Sequence, residues 1–216
     1  MKLLFIGNSH TYYHAMPYQC RALLAAHNIN ADVTQIVAPG KSLQWHGTNP
    51  ETIQALQYNA WDHVILQQAT HPFAGTKPLL DGAITLLQLI PAKPSTWLYN
   101  TWCEQEIPRN QIKIDKAFAS VSEKLRIPII PVADVWHEVE RRDPGHNLYD
   151  DDRRHAGRNG SYLTALCMTR AISGRSVLGL PATLQHNDHI INEVSPSNAS
   201  LYQTVVDAIF NTTHRR

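Results

Sequence analysis

The feature that most constrains this chain is its opening run, Leu3-Leu4-Phe5-Ile6, stopped by Gly7-Asn8-Ser9-His10. A short apolar run without alternation is a strand buried on both faces, and such strands belong to parallel sheets with cover on two sides. Gly7 is expected to make a tight turn with positive φ. Asn8 or Ser9 is expected to cap a helix starting near His10. A serine at that turn lies at the carboxyl edge of the sheet, where open α/β folds hold their ligands. Its N–H points out of a helix N-terminus towards a place for an anion. Gly-Asn-Ser is also a common turn, in which the serine does no more than cap.

The remainder alternates in the same way. A helix is predicted over 13–27, a strand over 31–37, a loop over 38–42 and a short helix over 51–58. A third strand follows at 62–67, then a loop over 71–78. Helical spacing over 79–90 ends at Pro91 and Pro94. The fourth strand is 95–100, the amphipathic helix 111–125 comes next, and the fifth strand is 127–132. Helices are expected over 134–142, 161–172 and 199–210, with a polar loop over 143–159 and a frayed end from Thr212. Five strands joined by helices predict one α/β domain over 1–216, a parallel sheet covered on both faces and right-handed crossovers.

Composition narrows the function classes. A hydrophobic share of 43% against 17% charged suits a folded chain of 216 residues. The formal net charge of +1 gives no global field for nucleic acid or an anionic membrane, and neither partner is expected. Cys20, Cys103 and Cys167 are widely spaced and form no CxxC pair, so reduced cysteines and a cytoplasmic setting are expected. The apolar start breaks at Gly7-Asn8, unlike a signal peptide. No run approaches the roughly 18 apolar residues of a membrane span.

Ser9 needs a base to attack anything. His155, in Asp152-Arg153-Arg154-His155, has a carboxylate three residues before it that can turn back onto Nδ1–H and leave Nε2 for a nucleophile. The bland reading of this segment is a solvated, charged loop. Asp143-Pro144-Gly145-His146 has the same spacing, but Pro-Gly is a strong turn dipeptide, so that pair is expected to form an exposed reverse turn. Gly157, Gly160 and the apolar helix after them are expected to anchor the Asp152–His155 loop instead. His10 and His14 have metal-ligand spacing on a helix but no accompanying His-Glu-x-x-His, and no metal is expected. His10, Tyr12, Tyr13, Trp45, His46, His71 and Trp102 fall at strand ends, as sugar-stacking or packing residues. Trp61, Trp97 and Trp136 read as core or rim.

Gly7-Asn8-Ser9, Gly40 after the second strand, an amide after the third and Asp152-x-x-His155 together resemble the SGNH (GDSL-like) hydrolase family. His155-Ala-Gly-Arg-Asn-Gly160-Ser-Tyr162-Leu163-Thr-Ala165 is similar to a His-Pro-Ser-x-x-Gly-x-Tyr-Leu-x-Ala run of one branch of it. The resemblance covers residues 2–173 and implies a flavodoxin-like α/β/α sandwich with strand order 2-1-3-4-5. It implies Ser9, His155 and Asp152 as a catalytic triad and the N–H groups of Ser9 and Gly40 as oxyanion donors. Two departures stand out. Asn8 replaces the usual Asp, and Gln67-Gln68 replaces the usual Gly-x-Asn-Asp block. Either glutamine amide can serve as third donor; strand alternation sends them to opposite sides, and Gln68, nearer the loop, is favoured over Gln67, with His71 a further possibility.

The resemblance implies a serine esterase without metal or organic cofactor, acting on small acyl esters and first of all on O-acetyl groups of carbohydrates. Two other classes stay open. One is a non-catalytic sugar-binding domain on the same fold. The other is a phosphate-binding or phosphoester-cleaving protein, although the Gly-x-x-x-x-Gly-Lys pattern is absent from the sequence.

Overall fold

The five apolar runs form one parallel sheet. Strand β1 (Lys2–Gly7) pairs with β2 (Asp32–Val37) on one side and with β3 (His63–Gln67) on the other. Strands β4 (Ser95–Tyr99) and β5 (Ile129–Ile130) extend it, in the order β2-β1-β3-β4-β5. The computed structural model describes residues 1–91 and 94–213. The parallel α/β class and the strand order are those expected. In this order the chain reverses direction across the sheet between β1 and β3, and the switch point at their carboxyl ends is where such sheets bind ligands. The turn carrying Ser9 leaves one of these strands, and Gln67-Gln68 ends the other.

Two compact units, each built from two chain segments, make up the fold: Met1–Tyr12 with Asp32–Ile130, and Tyr13–Ala31 with Pro131–Arg216. The first holds the whole sheet. Leu3, Leu4, Phe5 and Ile6 are all fully buried, so β1 is hidden on both faces, as its unbroken apolar run requires. Leu4, Ile6, Val64 and Leu66 share a core with residues of α3 (Leu43–His46), α4 (Pro50–Tyr58), α5 (Thr76–Gln88) and α6 (Gln111–Leu125). Helix α5 starts at Thr76, before Pro78, which was expected in a loop. The first turn of a helix has no internal acceptor for its N–H groups, so a proline there costs nothing. Strand β5 is only two residues long, because Pro128 and Pro131 flank it and neither has an N–H for the ladder.

The second unit contains a 3-10 turn (Tyr13–Ala15), α2 (Met16–Ala26), α7 (Val132–Arg142), α8 (Arg158–Ser173) and α9 (Pro196–Thr213). Thr212 is helical, and the end beyond Thr213 lies outside the described residues. An antiparallel hairpin of β6 (Thr183–His186) and β7 (His189–Glu193) was not expected. Its turn residues Asn187 and Asp188 both have positive φ, 47° and 65°, the backbone that matches strand twist in two-residue hairpins. Cys20, Cys103 and Cys167 are buried and form no disulfide. No helix among the described residues is long and apolar enough to cross a membrane.

Candidate active site

Ser9 opens a single helical turn, α1 (Ser9–Tyr12), directly after β1. Gly7 is the last residue of β1 and does not take positive φ, contrary to expectation; its requirement is space. A Cβ at Gly7 would lie 2.4 Å from Gln67 Oε1 and 2.5 Å from Thr11 Oγ1. That oxygen of Gln67 accepts the Asn8 N–H at 2.7 Å and the Thr11 hydroxyl at 3.1 Å. Asn8 is the cap: its Oδ1 accepts the His10 N–H at 3.1 Å, and its Nδ2 donates to Lys41 O at 3.2 Å. Beneath the turn, fully buried His46 donates from Nε2 to Gly7 O at 2.8 Å and accepts the Thr52 hydroxyl at Nδ1, 3.0 Å away. Burial pushes the His46 imidazole below its ordinary pKa, against a smaller upward pull from the Gly7 carbonyl. His46 therefore braces the turn from below and is no rim residue.

The expected oxyanion donors differ in how far their hydrogen bonds are already committed. Gly40 has φ +67° and follows Pro39 in a turn closed by Lys41 N–H to Ala38 O at 3.1 Å, the pattern of a type II turn. Gly40 is exposed, and its N–H is not the one that closes the turn. Gln67 is fully buried and committed on both atoms, since its Nε2 donates to Gln68 O. In Gln68, Oε1 accepts Leu43 N–H at 2.9 Å, which fixes which way the amide faces, while buried Nε2 has no hydrogen-bond partner among the described residues. A buried donor without a partner costs about 1–3 kcal/mol, so an acceptor supplied by a ligand would relieve it.

His71, considered as a donor, is engaged at both nitrogens. Its Nε2 donates to Trp102 O at 3.0 Å, so in the neutral ring Nδ1 must accept, and it does so from His10 Nε2 at 3.0 Å. The His10 carbonyl in turn accepts the Tyr99 hydroxyl at 3.2 Å. Trp102 is fully buried, with its ring 5.5 Å from that of His10, so it packs rather than offering a face to solvent. Trp45 is half-buried beneath Lys41, whose Nζ lies 5.5 Å from the ring centroid. Tyr12 is half-buried at the end of α1.

In the second unit, Asp152 and His155 are paired. Asp152 Oδ1 accepts the N–H groups of Arg154 and His155, each at 2.9 Å, and this turns Oδ2 onto His155 Nδ1. The contact places the proton on Nδ1 and leaves Nε2 as the basic nitrogen. Burial raises the Asp152 carboxyl, but the His155 ring and the two backbone N–H groups outweigh it and bring the pKa down to about 2. The loop closes on itself through Asp150 N–H to His155 O and Gly157 N–H to Leu148 O, both 2.9 Å. Far from being wholly polar, it buries Leu148 and Tyr149. Glycine is needed at 157 and 160 for close approach: a Cβ would lie 2.7 Å from Tyr149 O at Gly157 and 2.3 Å from Leu148 O at Gly160. Helix α8 starts at Arg158, immediately behind the histidine, and not at Ser161.

The second Asp-x-x-His is also a local turn, with His146 N–H to Asp143 O at 2.9 Å. Asp143 is exposed as expected, but the His146 side chain is only 9% exposed. Its Nε2 is taken by the hydroxyl of buried Tyr202, and Nδ1 lies 3.3 Å from Asp143. Burial, followed by the Asp143 charge, pushes the Tyr202 hydroxyl up in pKa, so it remains a donor to His146.

The continuous helix expected over 13–27 is broken. His14 and Ala15 have φ 47° and 55°, left-handed values that cost a non-glycine residue about 1–2 kcal/mol each. Tyr13, just before the break, stacks on His155. His14 faces Asp150 at 3.4 Å in this unit, whereas His10 pairs with His71 in the other. Among the described residues, no group of three or more His, Cys, Asp or Glu side chains is arranged to hold a metal. Sequence reasoning did not single out Asn8 as the cap, Gln67 as a pin under the turn or His46 as a brace.

No protein-family model matches the chain, and no curated protein matches it in sequence. Solved structures do match. A DUF4886 family protein from Bacteroides uniformis aligns over 98% of this chain and 95% of its own, with a TM-score of 0.77 and 18% identity. A member of the lipolytic protein G-D-S-L family from Veillonella parvula aligns over 80% of this chain and 98% of its own, with a TM-score of 0.63 and 15% identity. Axe2, an acetylxylan esterase from Geobacillus stearothermophilus, aligns over 79% of this chain and 93% of its own, with a TM-score of 0.62 and 16% identity. It is known as catalytic mutants in which a serine, a histidine, or an aspartate three positions before that histidine is replaced by alanine. At such identities the likeness is one of fold: this chain has the fold of SGNH-type (GDSL-like) hydrolases, several of which are esterases.

Proposed function

We propose that this protein is a serine esterase that hydrolyses small acyl esters, O-acetyl groups on carbohydrates foremost, with Ser9, His155 and Asp152 as its triad. The observation that carries the reading is the Asp152–His155 pair, a carboxylate fixed by two backbone N–H groups and bonded to Nδ1 of an imidazole. A surface ion pair has no need of that arrangement, whereas a general base does. In Axe2, the aspartate and histidine replaced in the catalytic mutants have the same spacing.

In the proposed reaction, Ser9 Oγ attacks the ester carbonyl carbon while His155 Nε2 takes the hydroxyl proton. The carbonyl π bond opens onto oxygen, and the N–H groups of Ser9 and Gly40 with the Gln68 amide receive the negative charge. Collapse expels the alcohol, which takes the proton back from His155 and leaves an acyl-Ser9. Water, deprotonated by the same imidazole, attacks that ester; the acyl–Oγ bond breaks, Ser9 Oγ takes the proton from His155, and the acid is released. Asp152 stays ionised and steadies the imidazolium. The unpartnered Nε2 of Gln68 supports its choice over Gln67.

The test is labelling with a fluorophosphonate, located by mass spectrometry, beside turnover of p-nitrophenyl acetate. Labelling of Ser9, abolished with turnover in Ser9→Ala, is the expected result. Labelling elsewhere, with Ser9→Ala still active, would overturn the nucleophile. Neither labelling nor turnover, with sugar binding retained, would make this a binding domain on a hydrolase fold.

A further inference from the structure

We propose that Tyr13 is a positioning residue for His155: its phenol ring fixes the plane in which the imidazole is held. The ring centroids are 4.0 Å apart and the planes differ by 10°, a face-on stack. Asp152 grips the imidazole at one edge, through Nδ1. An in-plane bond of this kind sets the distance and the tautomer but does not by itself fix the plane of the ring. A flat surface against the ring face removes that freedom. The two contacts are complementary, and the second is as necessary as the first if Nε2 is to point in one direction.

The backbone around Tyr13 shows that this placement is imposed. His14 and Ala15 occupy the left-handed region consecutively, and neither is glycine. Ala15 has no polar side chain that could stabilise such a conformation locally. Strain of this kind persists where the surroundings over-determine it, and it gathers at functional sites. Here Ser161 Oγ donates to Tyr13 O at 3.0 Å, and Gln19 Nε2 donates to His14 O at 2.6 Å and lies 3.1 Å from Ser161 Oγ. Gln19 is held in turn by Asn192 Nδ2 on its Oε1, at 3.0 Å. Ser161 stands in the first turn of α8, directly after the loop that carries Asp152 and His155. One helix start therefore anchors both the imidazole and the ring laid on it.

The catalytic consequence rests on the esterase reading, but the stack itself can be read without it. In the full chain, a ring lying over the imidazole displaces the His155 ring C–H resonances upfield; they are assigned by their loss in His155→Gln. Tyr13→Leu is expected to abolish the displacement and Tyr13→Phe to keep it. On p-nitrophenyl acetate, Tyr13→Leu is expected to lower kcat about 10²-fold with KM nearly unchanged, and Tyr13→Phe to restore it to within a few-fold. Should Tyr13→Leu not fold, Ser161→Ala, which releases Tyr13 O, is expected to reduce both the displacement and kcat. Unchanged His155 resonances or unchanged kcat in whichever variant folds would overturn the proposal. Displaced resonances in a wild-type protein that neither turns over ester nor labels at Ser9 would uphold the stack and overturn the esterase.

Discussion

The side-chain oxygen of Gln67 accepts the backbone N–H of Asn8 at 2.7 Å, so the end of β3 pins the first peptide of the turn that leaves β1. Gln67→Ala would strand that N–H and the Thr11 hydroxyl in a buried place. A loss of about 1–3 kcal/mol in denaturant unfolding is expected. Gln68→Ala is expected to act on the reaction instead, lowering kcat roughly 10²–10³-fold with little change in KM. A stable Gln67→Ala variant with the larger kcat loss would exchange the two roles.

Asp152→Asn is expected to lower kcat by about 10⁴, because an amide facing Nδ1 favours the wrong imidazole tautomer. His155→Ala should be as severe. His146→Ala should leave kcat within a few-fold and appear as lower stability, since it removes the partner of the buried Tyr202 hydroxyl. Parallel kinetics and thermal melts separate the two Asp-x-x-His pairs. A kcat collapse confined to His146→Ala would make the Tyr202-bound pair the working one.

Acid should destabilise the protein in two steps. His46 and His63 both have folded pKa values lowered first of all by burial, below the ordinary 6.5. Their unfolded forms bind protons more readily, so their contribution is complete above about pH 6.5 and is lost as pH falls below it. Asp152, lowered from 3.8 to about 2, adds stability above pH 3.8 that is lost as pH falls towards 2. Urea midpoints measured from pH 8 to pH 3 should fall in the upper window, and His46→Gln should flatten that first decline. An unchanged slope in His46→Gln would remove His46 from the account.

Two glycines of the site should fail for different reasons. Gly7→Ala pushes a Cβ against Gln67 and Thr11, and overpacking of this kind costs about 1–3 kcal/mol. Around Gly40 nothing lies within 4 Å of an added Cβ, so Gly40→Ala pays only for its φ of +67°, about 1–2 kcal/mol, and keeps its N–H. Thr11→Ala removes one of the two clashes and is expected to rescue Gly7→Ala only in part, because Gln67 still crowds the added Cβ; Gly40→Ala has no neighbour whose change could rescue it. Unfolding curves of the single and double variants check both.

Much of this was legible because burial leaves a mark on sequence. Unbroken apolar runs such as Leu3–Ile6 announced the strands, and Asp152-x-x-His155 announced a pair whose spacing a local turn can close. The hairpin has a weaker sign, the turn residues Asn187-Asp188 between two short stretches, too slight to set it apart from a loop. Pro17 was the one sign that a helix begins near Met16, because proline suits a first turn. Other features had no local sign. Whether a glutamine amide is spent on a backbone turn depends on what lies opposite, which separated Gln67 from Gln68 only in three dimensions. His46 reads like a rim residue until Gly7 O is seen above it. Left-handed His14 and Ala15 look in sequence like ordinary helix residues, so the placement of Tyr13 could not be foreseen.

The second unit joins residues 13–31 to residues beyond 130, with the whole of 32–130 spent on the other unit between them. During synthesis, α2 therefore emerges long before α8, the helix it packs against. The sheet-bearing segment can gather its local βα contacts early, while the second unit must wait for a long loop to close. Long closures of this kind slow folding. The stack of Tyr13 on His155, with Tyr13 held by Ser161, would accordingly be among the last native contacts to form, so a ribosome-bound chain halted before α8 would display a folded sheet without that stack.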